Sequence, residues 1–396
     1  MGLHVGIVGG SIAGCLAALE LARDGHRVEV FERAPGEARG AGIGFLPVIW
    51  QRLVDRNYVP EALPRLRVEQ QVFAAKSSSD ARLGKIALRA PGEAWALHWS
   101  DLHRALQARL PEGSYQSGVD VSGARTDGSR ATLELADGSE RSFDLALFAD
   151  GYRSRGRALI CPHGTRTYRG YTLWRGVVPA AELGDVAPLM AASWRLGHPG
   201  SRGHTVMYVI PDGRGGGQCV NFGSYLPLAA AELAPFLVDR DGRQHRGSMP
   251  PGQMRPDEEV RLKAQLASRL PSYFAAVVER SRDTFAQPIF TASVPRYRSG
   301  RLCLVGDAGA LVQPLTGSGV MKALDNARGL ASALRRNADV EQALAAWDAQ
   351  ATAAGAMLLR LGDQMEQALI WHPPDFAQLG GEATRSWWDA TTRLPE

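Results

Sequence analysis

The chain reads as an α/β protein. A Rossmann-like parallel sheet is split in sequence around an inserted, mainly antiparallel β-sheet, and C-terminal helices follow. Three observations predict this. A strand, a glycine-rich turn, a helix and a second strand fit within residues 3–32, which is the length of a βαβ unit. Residues 165–225 are rich in Thr, Tyr, Val, Trp and Gly, as antiparallel strands are. A short apolar strand then returns at residues 302–305, followed by helical sequence. The 396 residues suffice for two or three structural units.

The elements follow in order. Residues 3–8 form a buried strand, 12–24 an Ala/Leu-rich helix and 26–32 a second strand. A Gly-rich loop spans residues 40–44, and a helix lies near 47–56. Leu102, Leu106 and Leu110 recur at helical spacing over residues 101–110. Residues 131–136 and 141–149 alternate around Asp137-Gly138 as a hairpin. Residues 213–217 make a Gly-rich turn, and the polar stretch 240–256 with Pro250-Pro251 makes a loop. Helices are expected over 257–270, ended by Pro271, and over 318–336 and 339–370. Pro373-Pro374 then precedes a tail carrying Trp387-Trp388.

Composition excludes several classes. The net charge is +4, and of 45 basic residues only Lys76, Lys85, Lys263 and Lys322 are lysines. The arginines are scattered and form no tail suited to nucleic acid. The four cysteines make no CxxC pair, so neither a disulfide framework nor a metal site is expected, and a reducing cytoplasmic setting fits. No 18-residue apolar window and no basic leader is present, so neither a membrane span nor a signal peptide is expected. No GxSxG marks a serine hydrolase.

Three segments carry chemistry. The first is Gly9-Gly10-Ser11-Ile12-Ala13-Gly14, between strand and helix. A dinucleotide site needs a tight turn, close backbone approach to pyrophosphate and a helix N-terminus aimed at the anion. Gly9 and Gly14 fit the outer positions of GxGxxG, and Ser11 replaces the middle glycine. Glu32, ending the second strand, suits a ribose hydroxyl of NAD or FAD. The second segment is Asp150-Gly151, after an apolar strand. The third is Gly306-Asp307, then Pro314, then Gly317, Ser318, Gly319 and Val320 opening a helix. Taken alone, each is also compatible with an ordinary turn and a capped helix.

Together and in this order, these segments resemble the single-component (group A) FAD-dependent aromatic monooxygenases, most of all the 2,6-dihydroxypyridine hydroxylase branch. Shared local strings are Gly-Gly-Ser at 9–11, Arg39-Gly-Ala-Gly-Ile43, Trp99-Ser-Asp-Leu102, Tyr168-Arg-Gly-Tyr171 and Trp174-Arg-Gly176. The resemblance spans roughly residues 3–335. It implies an FAD domain of residues 1–70, 96–160 and 296–336, a substrate domain of 71–95 and 161–295, and a helical segment of 337–396. Gly9, Ser11, Ile12, Ala13 and Gly14 would hold the pyrophosphate region and Glu32 the adenosine ribose. Arg33 and Arg39 would lie near the cofactor, and Val121 would meet the adenine by its main chain. Asp150 and Gly151 match the motif that handles FAD and NAD(P)H, and Asp307 the ribityl-binding Asp. Pro314 would border the isoalloxazine, and the amides of Gly317, Ser318, Gly319 and Val320 its pyrimidine edge.

The implied reaction inserts one atom of O2 into an electron-rich aromatic or heteroaromatic molecule. It runs through a flavin C4a-hydroperoxide, with NADH or NADPH as transient reductant. Candidate substrate contacts are Tyr171, Trp174, Arg175, His204, Tyr208, Phe222 and Phe290. No catalytic acid or base is assigned, and a monomer or homodimer is expected. Alternatives are Baeyer–Villiger insertion, epoxidation or N-oxygenation, and, from another class, an FAD-binding protein without turnover. Two positions depart from the common family pattern. Ala310 stands where His is usual, and Trp99 where Arg is, the latter shared with the dihydroxypyridine branch.

Overall fold

The computed structural model describes residues 2–36, 40–164, 166–213 and 215–394. Its first sheet has six strands, in the order Arg298–Ser299, Leu302–Leu304, Leu145–Phe148, His4–Val8, Arg27–Glu32 and Tyr115–Ser117. All neighbours are parallel except the first pair. The three central strands come from chain segments about 140 and 160 residues apart, yet each is short and almost wholly apolar. Val5, Ile7, Leu145, Ala146, Leu147, Cys303 and Leu304 are fully buried. Continuous apolar runs of this kind mark parallel strands covered on both faces. Because the strands are parallel, the turns that follow them all emerge at one edge of the sheet. That is what brings the three glycine-bearing segments together.

The hairpin around Asp137-Gly138 is present, but the stretch 141–149 is not one strand. Glu140–Phe143 closes a three-stranded sheet with Ala131–Leu135 and Val121–Thr126, whereas Leu145–Phe148 enters the six-stranded sheet. Asp144 is the break. Its carboxylate accepts from the His4 amide at 2.8 Å and pairs with Arg130 at 2.9 Å.

The second sheet has eight strands, in the order Arg282–Thr291, Thr167–Pro179, Gln218–Pro227, His204–Pro211, Ala192–Gly197, Leu66–Ala75, Lys85–His98 and Gly42–Phe45. One pair, Ala192–Gly197 with Leu66–Ala75, is parallel; the others are antiparallel. The stretch read as a Gly-rich loop at 40–44 is thus partly an edge strand. Glycine there permits close approach: the Gly42 amide donates to Asn221 Oδ1 at 3.0 Å, and a Cβ on Gly42 would lie 2.7 Å from Asn221 Cγ.

Side chains alternate across this sheet, so each strand splits between two environments. Trp174, Trp194, Met207 and Phe222 enter a core covered by the helices Pro256–Arg269 and Ser272–Arg280. Leu173, Arg175, Ser193, Arg195, Val206, Tyr208, Asn221, Gly223 and Tyr225 face the opposite way, into a cavity shared with the first sheet. The helices Gly319–Arg336 and Val340–Glu366 follow, the latter ending in a π turn at Gln367–Trp371. The tail folds as a further helix, Gly381–Thr392, whose Trp387 and Trp388 rings pack on Phe73.

Candidate active site

At the first turn Gly9 has φ +99°, and its amide donates to the Phe31 carbonyl at 2.8 Å. A Cβ on Gly14 would lie 1.9 Å from the Gly9 carbonyl oxygen, and one on Gly10 would lie 2.4 Å from the Tyr115 hydroxyl. Three glycines are therefore required here, and the need for Gly10 was not visible from the motif. The Gly10 carbonyl accepts from Tyr115 and from Cys15 and lies 2.7 Å from His103 Nε2. Ser11 is exposed and makes no capping bond, and the first turn of Ile12–Arg23 has no acid. The N-terminal amides, with the positive end of the helix dipole, therefore present an uncompensated anion site.

Glu32 is set by two backbone donors, the Gly10 amide to Oε2 and the Ala34 amide to Oε1, both at 2.8 Å. Each oxygen keeps a lone pair for a further donor. Arg33 is exposed beside it, and Arg39 lies outside the described residues. Val121 is buried at the start of its strand, and its carbonyl already accepts from Arg155 Nη1 at 2.7 Å.

The second and third segments are tied by a residue that sequence reasoning missed. Arg157 is 3% exposed, and its guanidinium donates to the carbonyls of Asp307, Ala308 and Tyr152 at 3.0, 3.0 and 2.6 Å. It fastens the turn after Leu145–Phe148 to the turn after Leu302–Leu304. Burial lowers its pKa, and the nearby Asp150 charge opposes that shift. Asp150 Oδ2 accepts from the Arg155 and Gly156 amides, while the buried Oδ1 has no partner. Burial raises the Asp150 pKa. Gly151 lines the cavity beside it.

Lys322 is the second missed residue. It is 4% exposed, and its ammonium donates to Asp307 Oδ1 and to the Ala310 carbonyl, both at 2.6 Å. One lysine thereby aims the Asp307 carboxylate, about half exposed, along the cavity wall. One lysine inside an amphipathic helix leaves no periodic signal. Its position four residues after Ser318 is the clue, because that turn faces back onto residues 307–310.

Ser11, Ile12, Ala13, Gly151, Asp307, Pro314, Gly317, Ser318, Gly319 and Val320 all line one cavity of about 510 Å³, together with the open face of the eight-stranded sheet. Gly14, Glu32 and Val121 lie behind this wall. A Cβ on Gly317 would meet nothing within 4 Å, so the helix start at Gly319 opens onto free space. Ala310 does not line the cavity. It is buried against the long helix, where a Cβ on Gly355 would lie 3.0 Å from the Ala310 Cβ. An imidazole at 310 does not fit this packing, so the departure from the common pattern follows helix contact.

Strand parity removes Trp174 and Phe222 from the cavity, and packing on the cavity face removes Tyr171 and His204. Arg175 and Tyr208 line the cavity. Trp174 and Phe222 point to the other face and pack edge-on at 5.5 Å. Tyr171, on the same face as Arg175, is buried against Leu361, Met365 and Ile370, its hydroxyl 3.2 Å from Glu366 Oε2. Phe290 packs on Tyr168 at 5.3 Å, under the Arg166 guanidinium. His204 is 1% exposed, with neither ring nitrogen partnered, and stacks on Tyr225 at 4.9 Å. These five are corrected to packing positions. Trp99, Gln71, Arg195, Asn221 and Tyr225 line the cavity without having been singled out for it.

Burial pushes the His204 pKa well below its ordinary value, with the Arg195 charge adding to the shift. His198, 3.0 Å from Thr205 Oγ1, is lowered to about 3, again chiefly by burial. Both are neutral in the folded protein. Below about pH 6.5 the unfolded chain gains protons that the folded one does not, so stability falls as pH falls from there, by on the order of 1 kcal/mol per pH unit for each histidine. Urea melts from about pH 7 to pH 5 check this. His204→Phe is expected to shallow the slope; a flat wild-type profile contradicts the argument.

Residues 7–37 match the family described as NAD(P)-binding Rossmann-like domain, and residues 168–291 match FAD binding domain-like. The chain is 28% identical over 377 residues to 2,6-dihydroxypyridine 3-monooxygenase of Paenarthrobacter nicotinovorans, covering 92% of this chain and 91% of that one. It is 27% identical over 362 residues to salicylate hydroxylase of Pseudomonas putida, covering 84% and 77%. The fold superposes on the structure of 2,6-dihydroxypyridine-3-hydroxylase from Arthrobacter nicotinovorans with a TM-score of 0.84, at 24% identity, covering 100% and 98%. With helix N-termini and an aimed carboxylate around a single cavity, the chain is similar over most of its length to FAD-dependent aromatic monooxygenases.

Proposed function

We propose that this enzyme inserts one oxygen atom of O2 into an electron-rich aromatic or heteroaromatic small molecule, consuming NADH or NADPH. The observation that carries the reading is one continuous cavity, running from the first helix N-terminus past Asp307 to the open sheet face. Bound FAD supplies the electron transfer and oxygen activation; the protein binds, orients and excludes water.

In this reading the amides at residues 11–14 hold the pyrophosphate, and Glu32 accepts from the adenosine ribose. Asp307, aimed by Lys322, accepts from the ribityl chain. The amides of Gly317, Ser318, Gly319 and Val320 face the ring's pyrimidine edge beside Pro314. Asp150 and Gly151 close the middle of the site. Leu173, Val206 and Gly223 give the substrate an apolar floor that sheds water. The first sheet with its helices then forms the FAD-binding unit, the eight-stranded sheet the substrate unit, and residues 337–396 a helical cover. Among the described residues no helix is long and apolar enough to cross a membrane. A cytoplasmic enzyme, monomeric or a homodimer, completes the proposal.

The test is stopped-flow reduction and reoxidation of the FAD-loaded protein with phenols, hydroxypyridines and indoles. At least one is expected to accelerate NAD(P)H oxidation and to yield a product heavier by one oxygen atom. FAD binding with no ring-dependent NAD(P)H oxidation favours a non-catalytic flavin binder. An oxygenated product with a ring-expanded or N-oxide structure favours the other oxygen insertions.

A further inference from the structure

The cavity floor carries a guanidinium at each end, and the two differ in what holds them. Arg175, Gly223, Val206 and Arg195 are in register across four neighbouring strands. Three strand spacings separate the arginines, about 14 Å between Cα atoms. Arg175 Nη2 donates to the Gly42 carbonyl at 2.5 Å, reaches Asn221 Oδ1 at 3.5 Å, and its guanidinium lies 5.6 Å from the Phe285 ring. Its Nη2 is engaged in fixing the edge strand Gly42–Phe45.

Arg195 is different. No carboxylate acts on its charge; the groups that do are the phenols of Tyr225 and Tyr208. Its Nε is buried and has no hydrogen-bond partner. The guanidinium carbon instead lies 4.5 Å from the Trp388 ring. Burial lowers its pKa only to about 10, so it stays charged at neutral pH. A ring face steadies such a cation through its plane but accepts none of its in-plane N–H bonds, and of these the Nη groups are not buried. A half-buried cation with unpaired N–H donors and no counter-ion is costly until an anion arrives. Glu93 also lines the cavity, but it is exposed at the rim.

We propose that the substrate ring bears a carboxylate, which Arg195 binds through its two Nη groups, and that Trp388, from the C-terminal helix, is the positioning residue that presents this end of the guanidinium. A fork of two parallel donors matches a carboxylate's two oxygens better than the single oxygen of a ring hydroxyl. Between the arginines the floor is low, since Gly223 has no side chain, so a flat ring lies over Gly223 and Val206 with its carboxylate toward Arg195. The inference rests on the monooxygenase reading above.

The test uses the FAD-loaded enzyme and matched pairs: 4-hydroxybenzoate with 4-hydroxybenzamide, and 6-hydroxynicotinate with its carboxamide. Binding is read from flavin absorbance and from tryptophan fluorescence. In the wild type at least one carboxylate is expected to bind about tenfold or more tighter than its amide. Arg195→Gln abolishes that preference while leaving amide binding within about threefold, and Arg195→Lys keeps part of it. Trp388→Phe retains the preference, and Trp388→Ala raises KM for carboxylates more than it lowers kcat. Equal binding of both acids and their amides by the wild type overturns the proposal. So does an equal loss for acid and amide in Arg195→Gln with FAD retained. If a neutral hydroxypyridine drives NAD(P)H oxidation without any carboxylate preference, the Arg195 proposal alone falls. If no ring drives oxidation, the monooxygenase reading falls, and the fluorescence comparison still decides whether Arg195 selects carboxylates.

Discussion

Ser11→Glu is expected to weaken FAD binding by at least about 100-fold while leaving the apoprotein as stable as the wild type, or slightly more so. The two effects have opposite signs for one reason. A carboxylate at a helix N-terminus interacts favourably with the dipole, by about 0.3–1 kcal/mol. The first turn of Ile12–Arg23 has no acid at present, and Ser11 is exposed, so the new side chain meets no core. The same carboxylate would stand where the pyrophosphate must lie. Like charges about 4 Å apart near a protein surface repel by about 4 kcal/mol, and Glu32, bonded to the Gly10 amide, adds to the negative potential. FAD fluorescence titration and thermal melts of the apoprotein measure the two sides separately. Undiminished FAD affinity would show that the pyrophosphate lies elsewhere.

Arg157→Met is expected to cost about 3 kcal/mol or more of stability and to release FAD. Methionine keeps much of the stem's volume, so the loss isolates the guanidinium. Without it the carbonyls of Tyr152, Asp307 and Ala308 lose their donor in a region water scarcely reaches. Asp150, whose Oδ1 already lacks a partner, loses a nearby cation as well. The two turns would then move independently, and both border the cavity proposed to hold FAD. Denaturant melts of apo and FAD-loaded protein give both numbers. A variant within about 1 kcal/mol of wild type that keeps its flavin would sink the claim that Arg157 couples the turns.

Much of the frame is legible in the sequence because it is local. Strand–glycine–helix–strand over residues 3–32 dictates a parallel unit, and the apolar run at 302–305 reads as a short strand, whereas the break at Asp144 that sends 145–148 into the same sheet was not legible. Gly14 is fixed by a contact within its own turn and Gly9 by its positive φ, although a Cβ on Gly9 would also meet the distant Ala149 carbonyl. Gly10 is not, since the atom that excludes a side chain there belongs to Tyr115. Lys322 and Arg157 escaped for a similar reason. Each acts on carbonyls or carboxylates of a distant turn, and neither sits in a pattern that announces it.

The substrate side shows the division most plainly. The sequence by itself determined a β-rich insertion full of aromatic residues, with Trp174 and Arg175 side by side. It also determined that consecutive side chains oppose each other. Which of the two faces the cavity depends on how the strand is placed in the eight-stranded sheet and on what covers each side. Two helices from residues 256–280 cover the Trp174 side, and the half built on the six-stranded sheet faces the Arg175 side. Likewise, only the tertiary structure set the Trp388 ring against Arg195, nearly 200 residues earlier in the chain. Alternation is a local consequence of backbone geometry, whereas facing and pairing are settled by long-range burial, which no local pattern encodes.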